Sequence, residues 1–337
     1  MRAVRGSAGS LLLFALLGGW GSAHNSLSPE SHQARDIASL WWWMLGGAGI
    51  GLATVAGLLL LAWIRRSERG IGSDTEGQKP GERVATGVVL GLGVAVPLVV
   101  LAMLFLVSDV FLIRTTQAPA ASKTKLTVDV VGHQWFWEIR YPGTKAVTAN
   151  ELHIPIRTPV LVRATTDDVI HSFWVPSLNR KIDLIPGHVN TVELDAERAG
   201  SYRGQCAEFC GLQHAHMAFV VDVQSPSAFH AWLARESKPT PPATTALERR
   251  GEKIFLRGPC ASCHTLRGTS ASGFVGPDLT HLASRSTLGA LTLPNTRTAL
   301  TFWITDNQHV KPGNQMPDSE LAPDQLRVLV AFLESRT

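Results

Sequence analysis

The chain has 337 residues, of which 45% are hydrophobic and 17% are charged, and its mean hydropathy is +0.09. This composition is too apolar for an ordinary soluble protein and too polar for a protein made mostly of membrane spans, so it favours a few spans that carry soluble domains. The net charge of +4 is modest, and without a long basic run it gives no indication of nucleic-acid binding.

The N-terminus has the pattern of a secretory signal peptide over residues 1–23. Arg2 and Arg5 are basic, residues 11–17 are apolar, and residues 21–23 offer small side chains for cleavage. Because the apolar core is short for a membrane span, we expect cleavage, and an uncleaved anchor is the alternative.

Two apolar stretches, 40–64 and 84–108, contain no charged residue. Each is long enough to cross about 30 Å of hydrocarbon as a helix. Several arginines and lysines lie between them, so the positive-inside rule places this connection in the cytoplasm. We therefore expect a transmembrane hairpin within residues 24–114 of a bacterial inner membrane protein, with all that follows on the periplasmic side.

After the hairpin the pattern changes to short strands. Residues alternate between apolar and polar over 126–131, 160–164 and 190–194, with Pro-Gly and Ala-Gly turn signals between the strands. These features predict a small all-β barrel or sandwich over residues 124–224. A linker is expected over residues 225–245, with its proline-rich part at 237–245.

Helical patterns return in residues 246–337, at 246–255, 295–305 and 322–333. This length suits a small all-α domain. The sequence thus predicts a multidomain chain: a two-helix hairpin, an all-β domain and an all-α domain.

Four cysteines fall in two close pairs with histidine neighbours, which points to metal or haem chemistry. The first pair, Cys206 and Cys210, is followed by His214 at a spacing of four and then by Met217. Upstream, His171 opens a loop. Sulfur ligands are soft and imidazole suits copper, and two thiolates can bridge a pair of copper ions. A structural zinc site or a disulfide is the alternative, although zinc does not require Met217.

The second pair lies in Cys260-Ala-Ser-Cys263-His264, a C-x-x-C-H haem attachment motif. Its cysteines would form thioether bonds to the haem, and His264 would bind the iron. Met316 is the only methionine downstream and is the expected sixth ligand. His281 and His309 are rival axial ligands.

The first constellation resembles the binuclear CuA site of cytochrome c oxidase subunit II in residues 133–138, 171–187 and 204–217. The resemblance implies a cupredoxin-like barrel in which Cys206 and Cys210 bridge two copper ions. It also implies that His171 and His214 cap the ions, and that two further groups bind them weakly, namely Met217 and the backbone carbonyl of Glu208.

Further roles follow only from the resemblance. It implies a magnesium site at the Glu208 side chain, shared with subunit I, and makes Trp135 the residue that receives electrons. The chain departs from the family at Asn179, where glycine is usual, and at His188, where arginine is usual. Nearby histidines at 133, 153 and 216 are expected to be structural or bystanders.

The C-terminal segment resembles class I cytochromes c, including the loop at 276–279 whose proline carbonyl orients the proximal histidine. Together the resemblances imply subunit II of a caa-type haem–copper oxidase, with subunits I and III and an upstream cytochrome c or cytochrome bc complex as partners. It would deliver electrons and leave oxygen reduction to subunit I. The alternatives are a nitric oxide or nitrous oxide reductase subunit, or a membrane-anchored cytochrome c without copper. Glu82 is either near a proton path or an ordinary interfacial carboxylate.

Overall fold

The computed structural model describes residues 25–68, 79–109 and 124–337. The predicted signal peptide lies outside these residues. Within the described residues the chain forms two compact units. One contains residues 25–34 together with 124–337, and the other contains the rest.

The second unit consists of long apolar helices. Helix α1 is His32–Glu68, and the next helical stretch comprises α2 Lys79–Leu90, a π-helical turn at Gly91–Ala95, and α3 Val96–Val107. Single π-turns are typical interruptions of longer helices.

Two segments of these helices, His32–Arg65 and Thr86–Val107, are long and apolar enough to cross a membrane. The first segment contains the whole expected span 40–64. The second contains the expected span 84–108 except for residues 84, 85 and 108. Their large apolar side chains are mostly exposed, as is required of helices that face lipid. The described residues thus contain two candidate membrane spans near the N-terminus, where the sequence predicts them.

Residues 124–236, which we call the β domain, begin with two five-stranded sheets that share one core. The strand order is β3-β2-β1-β5-β8 in one sheet and β4-β10-β9-β6-β7 in the other. The strands are β1 Leu126–His133, β2 Phe136–Arg140, β3 Val147–Ala149, β4 Glu151–Pro155, β5 Val160–Thr166, β6 His171–Trp174, β7 Ile182–Leu184, β8 Asn190–Leu194, β9 Gly200–Cys206 and β10 Ala218–Gln224.

The alternating segments of the sequence form β1, β5 and β8, which are neighbours in one sheet. Their inward side chains, such as Val128, Val162 and Val192, are fully buried. At the centre of the core, the Trp137 ring makes edge contacts with Phe173 and Phe219. This is the cupredoxin-like arrangement that the sequence resemblance implies.

Part of the expected linker is instead a helix, α4 Pro226–Glu236. The Ser225 side chain caps its N-terminus by accepting from the Ala228 N–H. Phe229 and Trp232 are buried in the β-domain core. Because these two aromatic side chains anchor the helix, only the residues after it connect the domains.

Residues 246–337 form the C-terminal domain. Its helices are α5 Ala246–Arg257, α6 Cys260–Cys263, α7 Arg297–Thr305, α8 Asn307–Val310 and α9 Pro323–Leu333, and a small ribbon comprises β11 Thr287–Leu288 and β12 Leu293–Pro294. The ribbon is an addition to the predicted all-α domain. A reciprocal capping box between Thr245 and Glu248 starts α5.

Helices α5 and α9 pack closely at Gly251. A Cβ atom on this glycine would lie 2.3 Å from the Phe332 Cβ. The helices can therefore cross this closely only because Gly251 has no side chain. Phe332 and Phe255 belong to the buried core of the domain.

Candidate copper and haem centres

One end of the β domain gathers the five predicted copper-binding side chains. His171 opens β6, Cys206 closes β9, and the loop between β9 and β10 supplies Cys210, His214 and Met217. A 3₁₀ turn at His214–His216 closes this loop. The side chains of His171, both cysteines and Met217 are almost completely buried.

The donor atoms surround the two cysteine sulfurs. The Sγ atoms of Cys206 and Cys210 are 3.7 Å apart, well beyond the 2.05 Å of a disulfide bond. Cys206 Sγ lies 3.9 Å from His171 Nδ1. Cys210 Sγ lies 3.7 Å from both His214 Nδ1 and Met217 Sδ. A set of thiolates, imidazoles and a thioether at these separations fits a soft metal such as copper.

The two thiols shift each other's pKa in opposite directions. The neighbouring Cys210 thiol lowers the pKa of the Cys206 thiol, against the opposing effect of burial. The same interaction raises the pKa of the Cys210 thiol. Metal binding would require both thiols to be deprotonated.

Asp168 orients His171. Its Oδ1 lies 2.8 Å from His171 Nε2, which turns Nδ1 towards Cys206. Burial opposes ionisation of Asp168, but hydrogen bonds from His171 and from the backbone N–H groups of Gln134 and Val169 keep the pKa of its carboxyl below the usual value. A carboxylate behind a ligating histidine fixes the ring and raises its basicity.

Two groups with implied roles border this cluster. The Glu208 carbonyl oxygen lies 3.2 Å from Cys206 Sγ, while its half-exposed carboxylate lies 3.9 Å from Lys181 Nζ. The Trp135 indole Nε1–H donates to the Cys210 carbonyl at 2.9 Å. Trp135 is thus hydrogen-bonded directly to the backbone of a predicted bridging residue.

The predicted bystander histidines have other partners. His216 Nδ1 lies 2.9 Å from Gln213 Oε1, and His133 Nε2 lies 3.3 Å from Glu138 Oε2. His153 is buried and stacks on Trp232.

The two departures from the family pattern differ in burial. The buried Asn179 side chain donates to the Glu193 carbonyl at 2.6 Å, so an amide has a packing role where glycine is usual. His188 is exposed.

The haem motif begins at the short helix α6, which presents Cys260 and Cys263 as free thiols. His264 follows, and its Nδ1 lies 2.8 Å from the Pro277 carbonyl. Because a carbonyl only accepts, Nδ1 carries the proton and Nε2 keeps its lone pair for iron. Burial lowers the pKa of His264 and favours the neutral imidazole.

Gly276 makes room for this histidine. A Cβ atom there would lie 2.4 Å from His264 Cε1. The two thiols, the oriented imidazole and the glycine that makes room for it all lie within residues 260–277. Together they fit a covalently attached haem.

The rival axial ligands face elsewhere. His281 Nε2 lies 3.0 Å from the Lys238 carbonyl in the interdomain connection, and His309 is exposed beside Phe302. Met316 packs against the same apolar cluster as Cys260. Met316 stays the predicted sixth ligand.

Sequence reasoning missed two residues near these centres. Asp168 precedes His171 by three positions, and an acidic residue next to a predicted ligand is the signal that would have found it. Lys311 is 2% exposed and bridges the two domains. No local pattern distinguishes it from a surface lysine.

Comparisons with known proteins agree with this arrangement. A family model described as "Cytochrome C oxidase subunit II, periplasmic domain" matches residues 143–224, and one described as "Cytochrome c" matches residues 248–337. These two domains imply copper and haem c.

Relatives named cytochrome c oxidase subunit 2 include one from Alkalihalophilus pseudofirmus, which is 32% identical over 64% of this chain and 63% of its own length. Another, from Bacillus sp. strain PS3, is 29% identical over 74% of this chain and 71% of its own length. The chain thus spans a little under two thirds of the first relative.

A solved structure, the periplasmic domain of subunit II of the cytochrome oxidase of Bradyrhizobium japonicum, is also similar. It is 31% identical, with a TM-score of 0.34, over 36% of this chain and 96% of that domain.

Proposed function

We propose that the chain is a cytochrome c oxidase subunit II that carries a cytochrome c domain at its C-terminus, and that it delivers electrons within a caa-type haem–copper oxidase. The C-terminal domain receives electrons from a donor, and the β domain passes them to subunit I, where oxygen is reduced to water with proton pumping. The single observation that supports this best is the convergence of His171, His214 and Met217 on two free, buried cysteines.

Copper and haem, when bound, supply one-electron redox chemistry at potentials that their ligands set. The residues of this chain hold and orient them. We propose that Cys206 and Cys210 bridge two copper ions, that His171 and His214 cap them, and that Met217 and the Glu208 carbonyl bind weakly. Burial of both thiols excludes water from the centre.

In the C-terminal domain we propose that Cys260 and Cys263 attach one haem, with His264 and Met316 as axial ligands. The hydrogen bond from His264 Nδ1 to Pro277 supports this, because it fixes the tautomer that iron requires. Trp135 is proposed to receive electrons for the copper centre.

The partners are proposed on the same premise. Subunits I and III would contact the chain, and an upstream cytochrome c or cytochrome bc complex would supply electrons. A magnesium ion at the Glu208 carboxylate, shared with subunit I, is a further proposal. The exposure of that side chain is consistent with ligands from a second chain.

Purification of the tagged chain from its native membranes tests the proposal. We expect a haem–copper subunit I to co-purify and the complex to consume oxygen in proportion to its haem c. Co-purification of a nitric oxide reductase subunit, with nitric oxide consumption instead, would favour the nitrogen oxide alternative. A chain that contains haem without copper would favour the membrane-anchored cytochrome.

A further inference from the structure

The two ligand loops of the chain touch each other. The first, residues 206–217, carries four of the five proposed copper-binding side chains, and its Cys210 carbonyl accepts a hydrogen bond from the Trp135 indole. The second, residues 311–316, begins at Lys311 and ends at the proposed axial ligand Met316. Gln213 in the first loop donates from Nε2 to the Pro312 carbonyl in the second at 2.7 Å, and the Gln213 side chain is buried.

Lys311 is the centre of this contact. Its Nζ lies 3.0 Å from the Trp135 carbonyl, 2.9 Å from the His216 carbonyl and 3.1 Å from the Gly289 carbonyl. The first two belong to the β domain and the third to the C-terminal domain. An ammonium group has three donors and no acceptor, so these three carbonyls use it fully.

A lysine in this position needs a reason, because burying an ammonium group is costly unless it is paired. Burial lowers the pKa of Lys311 to about 8. The carbonyls of Trp135, His216 and Gly289 belong to turns between regular elements. A buried carbonyl also requires a hydrogen-bond donor. The lysine and the carbonyls of Trp135 and His216 therefore satisfy each other only while the domains are docked.

The contact is tight at the next residues. A Cβ atom on Gly313, which has φ of +78°, would lie 2.8 Å from Leu212 Cδ1. Elsewhere on the interface, the Ser286 N–H and hydroxyl both donate to Glu151 Oε1 at 2.7 Å. Arg267 donates to the Glu236 carbonyl at 2.6 Å and to that of Lys145. Polar contacts at separate points fix the orientation of the domains as well as their proximity.

We infer that Lys311 is a positioning residue for electron transfer: it fixes the Met316 loop against Trp135, so that the chain's own C-terminal domain occupies the electron-accepting face of the β domain. The inference rests on the proposed function. Trp135 is hydrogen-bonded to Lys311 through its carbonyl and to the Cys210 carbonyl through its indole, which makes it the residue shared by both loops.

The test compares Lys311→Met with wild type in the purified, fully loaded complex, by flash-induced reduction of the haem and detection of the electron at copper. Methionine keeps the length of the side chain but donates no hydrogen bond. We expect haem-to-copper transfer to slow by about tenfold or more, which corresponds to about 1.4 kcal/mol or more in the activation free energy, because the Met316 loop is no longer fixed against Trp135. Haem reduction by the external donor and the absorption and EPR spectra of both centres should not change.

Matched variants separate positioning from general damage. Lys311→Arg retains donors and should recover most of the rate. Lys253→Met, at an exposed lysine on α5, should behave as wild type. If Lys311→Met fails to retain copper or haem, Gln213→Ala removes the neighbouring interdomain hydrogen bond and should slow transfer with both centres loaded.

Transfer within about twofold of wild type in Lys311→Met, or in Gln213→Ala where that variant replaces it, overturns the inference. It leaves the proposed function intact, because the wild-type complex still transfers electrons. Wild-type protein that lacks copper or haem would instead contradict the proposed function.

Discussion

Asp168 is the residue whose role at the copper centre is most sharply defined by geometry. Its carboxylate hydrogen-bonds to Nε2 of His171, the ring nitrogen that faces away from Cys206. Partners of this kind typically account for a 10- to 100-fold difference in metal affinity. We predict that Asp168→Ala lowers copper affinity by about 10- to 100-fold, measured by competition with a chelator.

The control is Asp129→Ala. Asp129 pairs with Arg163 on the exposed side of the sheet and has no contact with the ligands. Equal copper affinities in the two variants would contradict the orienting role of Asp168.

His153 should make stability depend on pH. Burial lowers its pKa to about 4, whereas an unfolded histidine has a pKa near 6.5. Between these values the unfolded chain binds more protons, so the free energy of unfolding falls as the pH falls. The groups that face His153 are Asp222, Glu151 and Arg235.

We predict that wild type loses about 3 kcal/mol more than His153→Gln between pH 7 and pH 4. Denaturant unfolding of the full chain at each pH measures this difference. The exposed His188, substituted as His188→Gln, serves as the control and should follow wild type. A His153→Gln variant with the same pH slope as wild type would refute the prediction.

Residue roles were predictable where the ligands lie close together in sequence. Cys206, Cys210, His214 and Met217 share one loop, so their spacing alone indicates a metal site. His171 is 35 positions from Cys206, so it was a candidate ligand by residue type, and only the sequence resemblance implied its capping role. Lys311 could not be found, because its burial depends on how two domains meet.

At the scale of elements, helix α4 occupies the first part of the segment 225–245 in which the sequence predicts a linker. The proline-rich signal covers only residues 237–245, whereas Ser225 followed by Pro226 is a typical helix start. The aromatic residues Phe229 and Trp232 then decide the outcome by entering the β-domain core. The strands β1, β5 and β8 were predictable because the alternation of apolar and polar residues is visible in the local sequence.

We predict that Phe229→Ala lowers the free energy of unfolding of the β domain by about 3–5 kcal/mol, because it removes a fully buried aromatic ring. Thermal or denaturant unfolding, followed by tryptophan fluorescence, measures the change. His230→Ala, on the exposed side of the same helix, should have little effect. If both variants unfold alike, α4 does not anchor in the core.

At the scale of the whole molecule, sequence predicted three parts and the order in which they occur, but not how the two periplasmic domains dock. Domain contact depends on side chains that are far apart in the chain, such as Ser286 and Glu151, which are 135 positions apart. A fused donor domain has a high effective concentration at its acceptor. The polar interface adds a defined orientation to that advantage.

The most direct test of the account is the ratio of copper to haem iron in the purified chain. We expect about two copper ions per haem iron in wild type. Cys206→Ser should lose the copper and retain the covalent haem, because the haem cysteines lie in a separate domain. Haem iron without copper in the wild-type protein would contradict the central claim that this chain carries two successive electron-transfer centres.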